Sequence, residues 1–86
     1  MGARRVTMYT TSWCGYCARA RALLESKGVR LLEIDVDEVS GAREEMFAKS
    51  GGRTTVPQIF IGDEHVGGSD DLEDLEAEGR LDPMLK

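Results

Sequence analysis

Two cysteines, Cys14 and Cys17, stand two residues apart just after the alternating run Val6-Thr7-Met8-Tyr9, and the chain has no others. That spacing constrains the fold more than any other feature. A C-x-x-C pair that performs dithiol chemistry belongs where a strand ends and a helix begins. Free amides and partial positive charge at a helix start favour a thiolate, and one helical turn carries the second sulfur back to the first. Other uses of two cysteines fit less well. A disulfide across so short a loop staples little of a fold. A structural zinc site takes four ligands, and two cysteines with the single His65 do not supply them. Inert buried thiols are the remaining reading, and chance rarely places a chain's only two cysteines at this separation.

Eighty-six residues, 41% of them hydrophobic, are enough for one small domain over residues 1–86 and one modest core. No apolar stretch approaches a membrane span. Arg4 and Arg5 precede no signal-peptide apolar region. Met1-Gly2 opens like a myristoylation site, but Val6 stands where that motif needs Ser or Thr. A C-x-x-C pair without a disulfide framework fits a reducing cytoplasm. The net charge of -5 is uneven. Residues 1–30 carry six basic side chains and one acidic, whereas residues 61–82 carry nine acidic and one basic. This reads as a solvated acidic helix, with a dipolar surface that steers a charged partner as the sharper alternative. No basic stripe with aromatics points to nucleic acid.

Periodicity gives the element order. Val6 to Tyr9 alternates as a strand. Cys14 to Lys27 reads as a helix with Cys17, Ala20 and Leu24 on one face and Gly28 as its stop. Val29 to Val36 alternates again, with Leu32, Ile34 and Val36 on one side. Strand, helix and strand in so few residues imply a parallel pair with a right-handed crossover. Ser40 is the expected cap of a second helix, which Met46 and Phe47 hold to the core and Gly51-Gly52 ends. Gln58 to Ile61 is a short buried strand, and Gly62-Asp63 turns it back through Glu64-His65-Val66. Ser69 is the expected cap of a third helix, with Leu72 and Leu75 inward. Asp82-Pro83 opens a last short turn that tucks Leu81 and Leu85 onto the core. The pattern β-α-β, helix, β-β-α predicts an α/β fold: one four-stranded mixed sheet flanked by helices.

Two further segments are candidate site pieces. Pro57 cannot donate to a ladder, so Thr55-Val56-Pro57 is either a plain strand start or a cis turn presenting the Val56 amide and carbonyl to an extended peptide. Gly67-Gly68-Ser69-Asp70-Asp71 is either an ordinary glycine loop or a ligand grip. In the second case helix amides hold a carboxylate and Asp70 holds an ammonium. His65 reads as a surface residue, and the four methionines as core or surface.

With Cys14-Gly15-Tyr16-Cys17, these segments resemble the three signatures of dithiol glutaredoxins. The stretch from Arg53 to Ile61 is similar to bacterial members, and the likeness runs nearly end to end. The resemblance implies a thioredoxin-like fold and reduction of disulfides, notably protein–glutathione mixed disulfides, with glutathione as reductant. It implies Cys14 as nucleophile and Cys17 as resolving thiol. It places Tyr16 beside the glutathione sulfur, Thr55 and Val56 on the cysteinyl backbone positioned by a cis Pro57, and Gly68, Ser69 and Asp70 at the γ-glutamyl end. Expected partners are glutathione and glutathionylated or disulfide-containing proteins, met by a monomer.

Three positions depart from the family pattern. Thr11 stands where such proteins usually carry a Lys for the glycyl carboxylate, leaving Arg43 or Arg53 to replace it. Gly15 replaces the common Pro, a change associated with [2Fe–2S] binding by Cys14 and glutathione between two protomers. Trp13 resembles the start of the thioredoxin motif, which offers a flavoprotein-served reductase as another alternative, although a hydrophobic rim residue is the simpler reading.

Overall fold

The computed structural model describes residues 4–86, so the Met1-Gly2 question lies outside the described residues. The elements are β1 (Val6–Thr10), α1 (Gly15–Ser26), β2 (Leu31–Asp35), α2 (Ala42–Lys49), β3 (Gln58–Ile61), β4 (Glu64–Gly67), α3 (Ser69–Ala77) and α4 (Leu81–Leu85). The strands form one mixed sheet in the order β2-β1-β3-β4. β1 runs parallel to β2, with Thr10 opposite Asp35. β3 is antiparallel to both β1 and β4. This is the predicted α/β architecture.

Side-chain alternation divides the core between the two faces of the sheet. Val6, Met8, Ile59 and Ile61 bury on one face against Cys17, Ala20 and Leu24 of α1, Leu72 of α3, and Leu81 and Leu85 of α4. Tyr9 and Phe60 bury on the other against Ala42 and Met46 of α2. Each such aliphatic side chain, fully removed from water, contributes about 1.5–3 kcal/mol before entropy is charged. Tyr9 and Phe60 meet edge to face at 5.7 Å. The Tyr9 hydroxyl donates to Glu45 at 2.6 Å, which ties the central strand to α2.

Several expectations need correction. α2 is not capped by Ser40. Its first turn follows Gly41, which holds φ +79. The delay comes from Asp35, whose carboxylate accepts from the Asp37 and Glu38 amides and winds the chain through turns before the helix begins. Phe47 is half exposed rather than a core contact, because Met46 takes the inward position. Leu32 is on the expected face but half exposed, since β2 is an edge strand. Ser69 is the first residue of α3, and Gly68 precedes it as the cap. Asp82 lies inside α4 and pairs with Lys27 at 2.9 Å. No helix among the described residues is long and apolar enough to cross a membrane.

Candidate active site

β1 delivers the chain to the C-terminal edge of the sheet, where a short turn leads into α1. Cys14 is the N-cap of that helix, in extended conformation, and the Cys17 N–H donates to its sulfur at 3.3 Å. A helix N-terminus aimed at a sulfur is the arrangement that suits an anionic nucleophile. The two thiols differ sharply in setting. Cys14 is partly exposed, while Cys17 is fully buried in the core beneath it. Burial pushes the Cys17 thiol up, the neighbouring Cys14 sulfur adds to the rise, and contacts with Thr10 and Thr11 oppose it.

The Val56–Pro57 peptide bond is cis. The Cys14 thiol lies 3.8 Å from the Val56 carbonyl oxygen. Among the described residues nothing pairs with the Val56 N–H, so the backbone of this turn keeps an edge available to an extended ligand. From this turn a groove of about 350 Å³ runs to the start of α3. Tyr16, Thr55, Val56, Pro57, Gly68, Ser69 and Asp70 all line it, so the structure brings together the segments singled out in the sequence.

Arg53 and Asp71 line the same groove, 3.6 Å apart. Arg53 is thus the cation available here. Arg43 points elsewhere, paired with Asp37 at 2.6 Å. Asp71 also accepts from the Gly68 N–H at 2.9 Å and fixes the turn into α3. Its carboxylate passes so close over Gly67, held at φ +118, that any Cβ there would collide with it. Ser69 is buried, and its hydroxyl finds no partner among the described residues. A buried hydroxyl in that state costs stability unless a ligand completes it.

A support that the sequence reading missed lies behind the cis turn. Gln58 is fully buried, and its amide donates to the Thr55 carbonyl at 3.0 Å and the Thr55 hydroxyl at 3.3 Å. Its oxygen faces the Nε2 of His65 at 2.7 Å. Gln58 uses its NH2 on Thr55, so His65 is the donor and carries its proton on Nε2. His65 is therefore not a plain surface residue: its ring packs on Phe60 at 4.9 Å. Burial lowers its pKa below 6.5, Arg53 lowers it further, and Asp71 partly offsets both. The signal in the sequence was the two-residue alternation that places Gln58 and His65 on neighbouring strands, but their contact needs the strand register.

Trp13 stands 98% exposed beside Cys14 and does not line the groove. No group of three or more His, Cys, Asp or Glu able to hold a metal ion occurs among the described residues.

Comparison with known proteins agrees with this geometry. The family model described as Glutaredoxin matches residues 6–66. Glutaredoxin 3 of Escherichia coli strain K12 is 57% identical over 81 residues, 94% of this chain and 96% of its own. The solution structure of glutaredoxin from Brucella melitensis superimposes with a TM-score of 0.85 at 52% identity, covering 100% of this chain and 92% of that one. A crystal structure of a buckwheat glutaredoxin–glutathione complex superimposes with a TM-score of 0.84 at 32% identity, covering 93% and 74%. With sequence model, relative and solved structures in agreement over most of its length, this chain belongs to the glutaredoxin family, thiol oxidoreductases of thioredoxin fold.

Proposed function

We propose that this protein reduces protein–glutathione mixed disulfides and protein disulfides, with glutathione as electron donor and Cys14 as nucleophile. The observation that carries this is the groove beside Cys14. It combines an available strand-like edge at Val56, the Arg53 cation, a helix start and the Ser69 hydroxyl, which has no partner among the described residues. Its volume is within the range of small-ligand sites. An extended tripeptide with carboxylates at both ends and one ammonium matches that set. The cysteinyl backbone pairs at Val56, Arg53 meets the glycyl carboxylate in place of the missing Lys at Thr11, and Gly68, Ser69 and Asp70 hold the γ-glutamyl end. Tyr16 and Thr55 complete the walls.

In the first step the Cys14 thiolate attacks the glutathione sulfur of a mixed disulfide. A bond forms between Cys14 and glutathione, the bond to the protein sulfur breaks, and the leaving thiolate takes a proton from solvent. A second glutathione, as thiolate, attacks the glutathione sulfur of this adduct. It forms oxidised glutathione and returns Cys14 as thiolate. Cys17 is too buried to meet an external disulfide, and burial holds its pKa above the ordinary thiol value, which favours its thiol form. On the second route Cys17 gives up its proton and attacks the Cys14 sulfur of the Cys14–glutathione adduct. The Cys14–Cys17 bond forms as the bond to glutathione breaks, and the leaving glutathione thiolate takes a proton. Two glutathiones then reduce the internal disulfide, leaving as oxidised glutathione. On this account Cys14→Ser lowers turnover of a small glutathionylated disulfide by about a hundredfold or more, while Cys17→Ser retains most of it. Equal loss in both variants contradicts the glutathione-only route.

Turnover with glutathione, glutathione reductase and NADPH, set against thioredoxin reductase and NADPH, separates this function from the flavoprotein-served alternative. Activity only with the latter overturns it. A [2Fe–2S] cluster takes four ligands, and one chain offers a single outward sulfur, Cys14. Two chains and two glutathiones would be needed, and no step of the proposed reaction uses a cluster. Anaerobic reconstitution that leaves a colourless monomer removes that use. The monomer acts as one domain over residues 1–86, in a reducing cytoplasm.

A further inference from the structure

The strand order places the nucleophile's turn between two different surfaces. In β2-β1-β3-β4, the turn after β1 carries Cys14. The turn before β3, with Val56 and Pro57, flanks it on one side and forms the glutathione groove. On the other side lies the segment after β2, which leaves the sheet at the same edge: Thr10 pairs with Asp35, and the Val36 N–H donates to the Thr10 carbonyl at 3.0 Å. The Ser12 hydroxyl donates to Asp35 at 3.1 Å, joining the two turns. The 98% exposed Trp13 follows Ser12 directly, and the exposed acids Asp37 and Glu38 donate their N–H groups to the same Asp35 carboxylate, with the half-exposed Val39 next in the chain, so these residues gather around one junction. Arg43 partly neutralises Asp37.

Trp13 does nothing visible for the fold, since almost none of its surface is removed from water. Trp is, with Tyr and Arg, among the residue types enriched at interface hot spots, and here it stands beside exposed carboxylates and the sulfur that meets the substrate. With glutathione in the groove on the β3 side, the protein half of a mixed disulfide has to rest on the surface that remains around Cys14. The chemistry of that half is also constrained. Cysteines that become glutathionylated are those held as thiolates, and neighbouring Lys or Arg side chains are a principal cause. A cation beside the scissile disulfide meets an indole face and carboxylates on this flank.

We propose that Trp13, with Asp37 and Glu38, forms a docking surface for the protein moiety of the substrate, selecting glutathionylated cysteines flanked by Lys or Arg. This rests on the glutathione-dependent reading above and adds the substrate class to it. The surface acts by positioning and by charge; it contributes no reacting group.

Two glutathionylated peptides of equal length test it, one with Lys on both sides of the cysteine and one with Glu. A small mixed disulfide of glutathione with mercaptoethanol serves as reference. The wild-type protein is expected to favour the Lys peptide about fivefold or more in kcat/KM at low salt, with the preference shrinking as ionic strength rises. Trp13→Ala and the double variant Asp37→Asn/Glu38→Gln should lose most of that preference through KM. Trp13 is the only tryptophan. Its emission in the unreactive Cys14→Ser protein should therefore shift on titration with the Lys peptide and much less with the Glu peptide. Normal turnover of the small disulfide with equal kcat/KM for both peptides overturns the docking surface and leaves the proposed function standing. Failure to turn over even the small disulfide overturns both.

Discussion

At the scale of single residues, the site depends on contrast between neighbours. Cys14 and Cys17 are separated by one turn, yet one opens outward and the other is part of the core. The C-x-x-C spacing made the pair legible in the sequence, and helical periodicity already put Cys17 with Ala20 and Leu24. Gln58 and His65 were not legible in this way. Their roles depend on the register of β3 with β4, which carries an irregularity between Ile59 and Phe60 that no local pattern announces. His65 also gives a pH prediction. Its folded-state pKa lies below the unfolded value of 6.5, chiefly through burial, with Arg53 repelling and Asp71 attracting the proton. The unfolded chain therefore takes up the proton first as pH falls, so stability rises with pH in this window. The His65 contribution is fully present above about pH 6.5 and is lost as pH falls toward the folded-state value. Urea unfolding between about pH 5.5 and pH 7.5 should show this slope in the wild type and a shallower one in His65→Gln. An unchanged slope would mean that His65 titrates alike in both states.

Among the elements, α1 and α3 present their starts to the site, and their caps differ from what residue types suggested. Ser69 has the composition of a cap, but the chain uses Gly68 there because Asp71 reaches back over Gly67 to the Gly68 amide. Gly67→Ala should thus destabilise the protein by about 2 kcal/mol or more, since the left-handed backbone and the carboxylate both refuse a methyl group. Thermal unfolding measures it, and a neutral result would show that Asp71 moves aside freely. Gly15 is the opposite case. A Cβ there would meet nothing within 4 Å. It is the first residue of α1, and Cys14 before it is already extended with ψ 114. Pro suits that position and that preceding conformation. Gly15→Pro should stabilise the fold by about 0.4–1 kcal/mol, read as a rise in the urea midpoint. A fall would place a needed hydrogen bond on the Gly15 amide. The two-residue and 3.6-residue periods made strands and helices legible. The loop after β2 was not, because Asp35 redirects it by side-chain-to-backbone bonds that leave no periodic trace.

Over the whole molecule, part of the charge asymmetry of the sequence is closed in space. Basic residues of α1 and its C-cap pair with acidic residues of the last two helices: Arg19 with Glu73 at 2.9 Å, and Lys27 with Glu76 at 2.8 Å and Asp82 at 2.9 Å. These surface pairs are each worth little, but they fix which flank remains acidic. The acidic helix that the sequence reads as solvated thus also forms ion pairs with the helix packed beside it. Acids remain near Cys14 in two places, Asp70 in the groove and Asp37 and Glu38 on the loop after β2. Three segments distant in sequence, around Cys14, Val56 and Ser69, converge at one edge of the sheet. Their chemistry was legible residue by residue, whereas the choice of Arg53 over Arg43, its pairing with Asp71 and the lack of a partner for the Ser69 hydroxyl among the described residues needed the assembled structure. The account stands on glutathione, bound through Cys14, lying in that groove. The direct measurement is the backbone amide NMR spectrum of Cys17→Ser before and after it forms its glutathione adduct. Shifts should concentrate at Tyr16, Arg53, Thr55, Val56 and Gly68 to Asp71. An adduct that leaves those amides unmoved, or perturbs the β2 side instead, contradicts it.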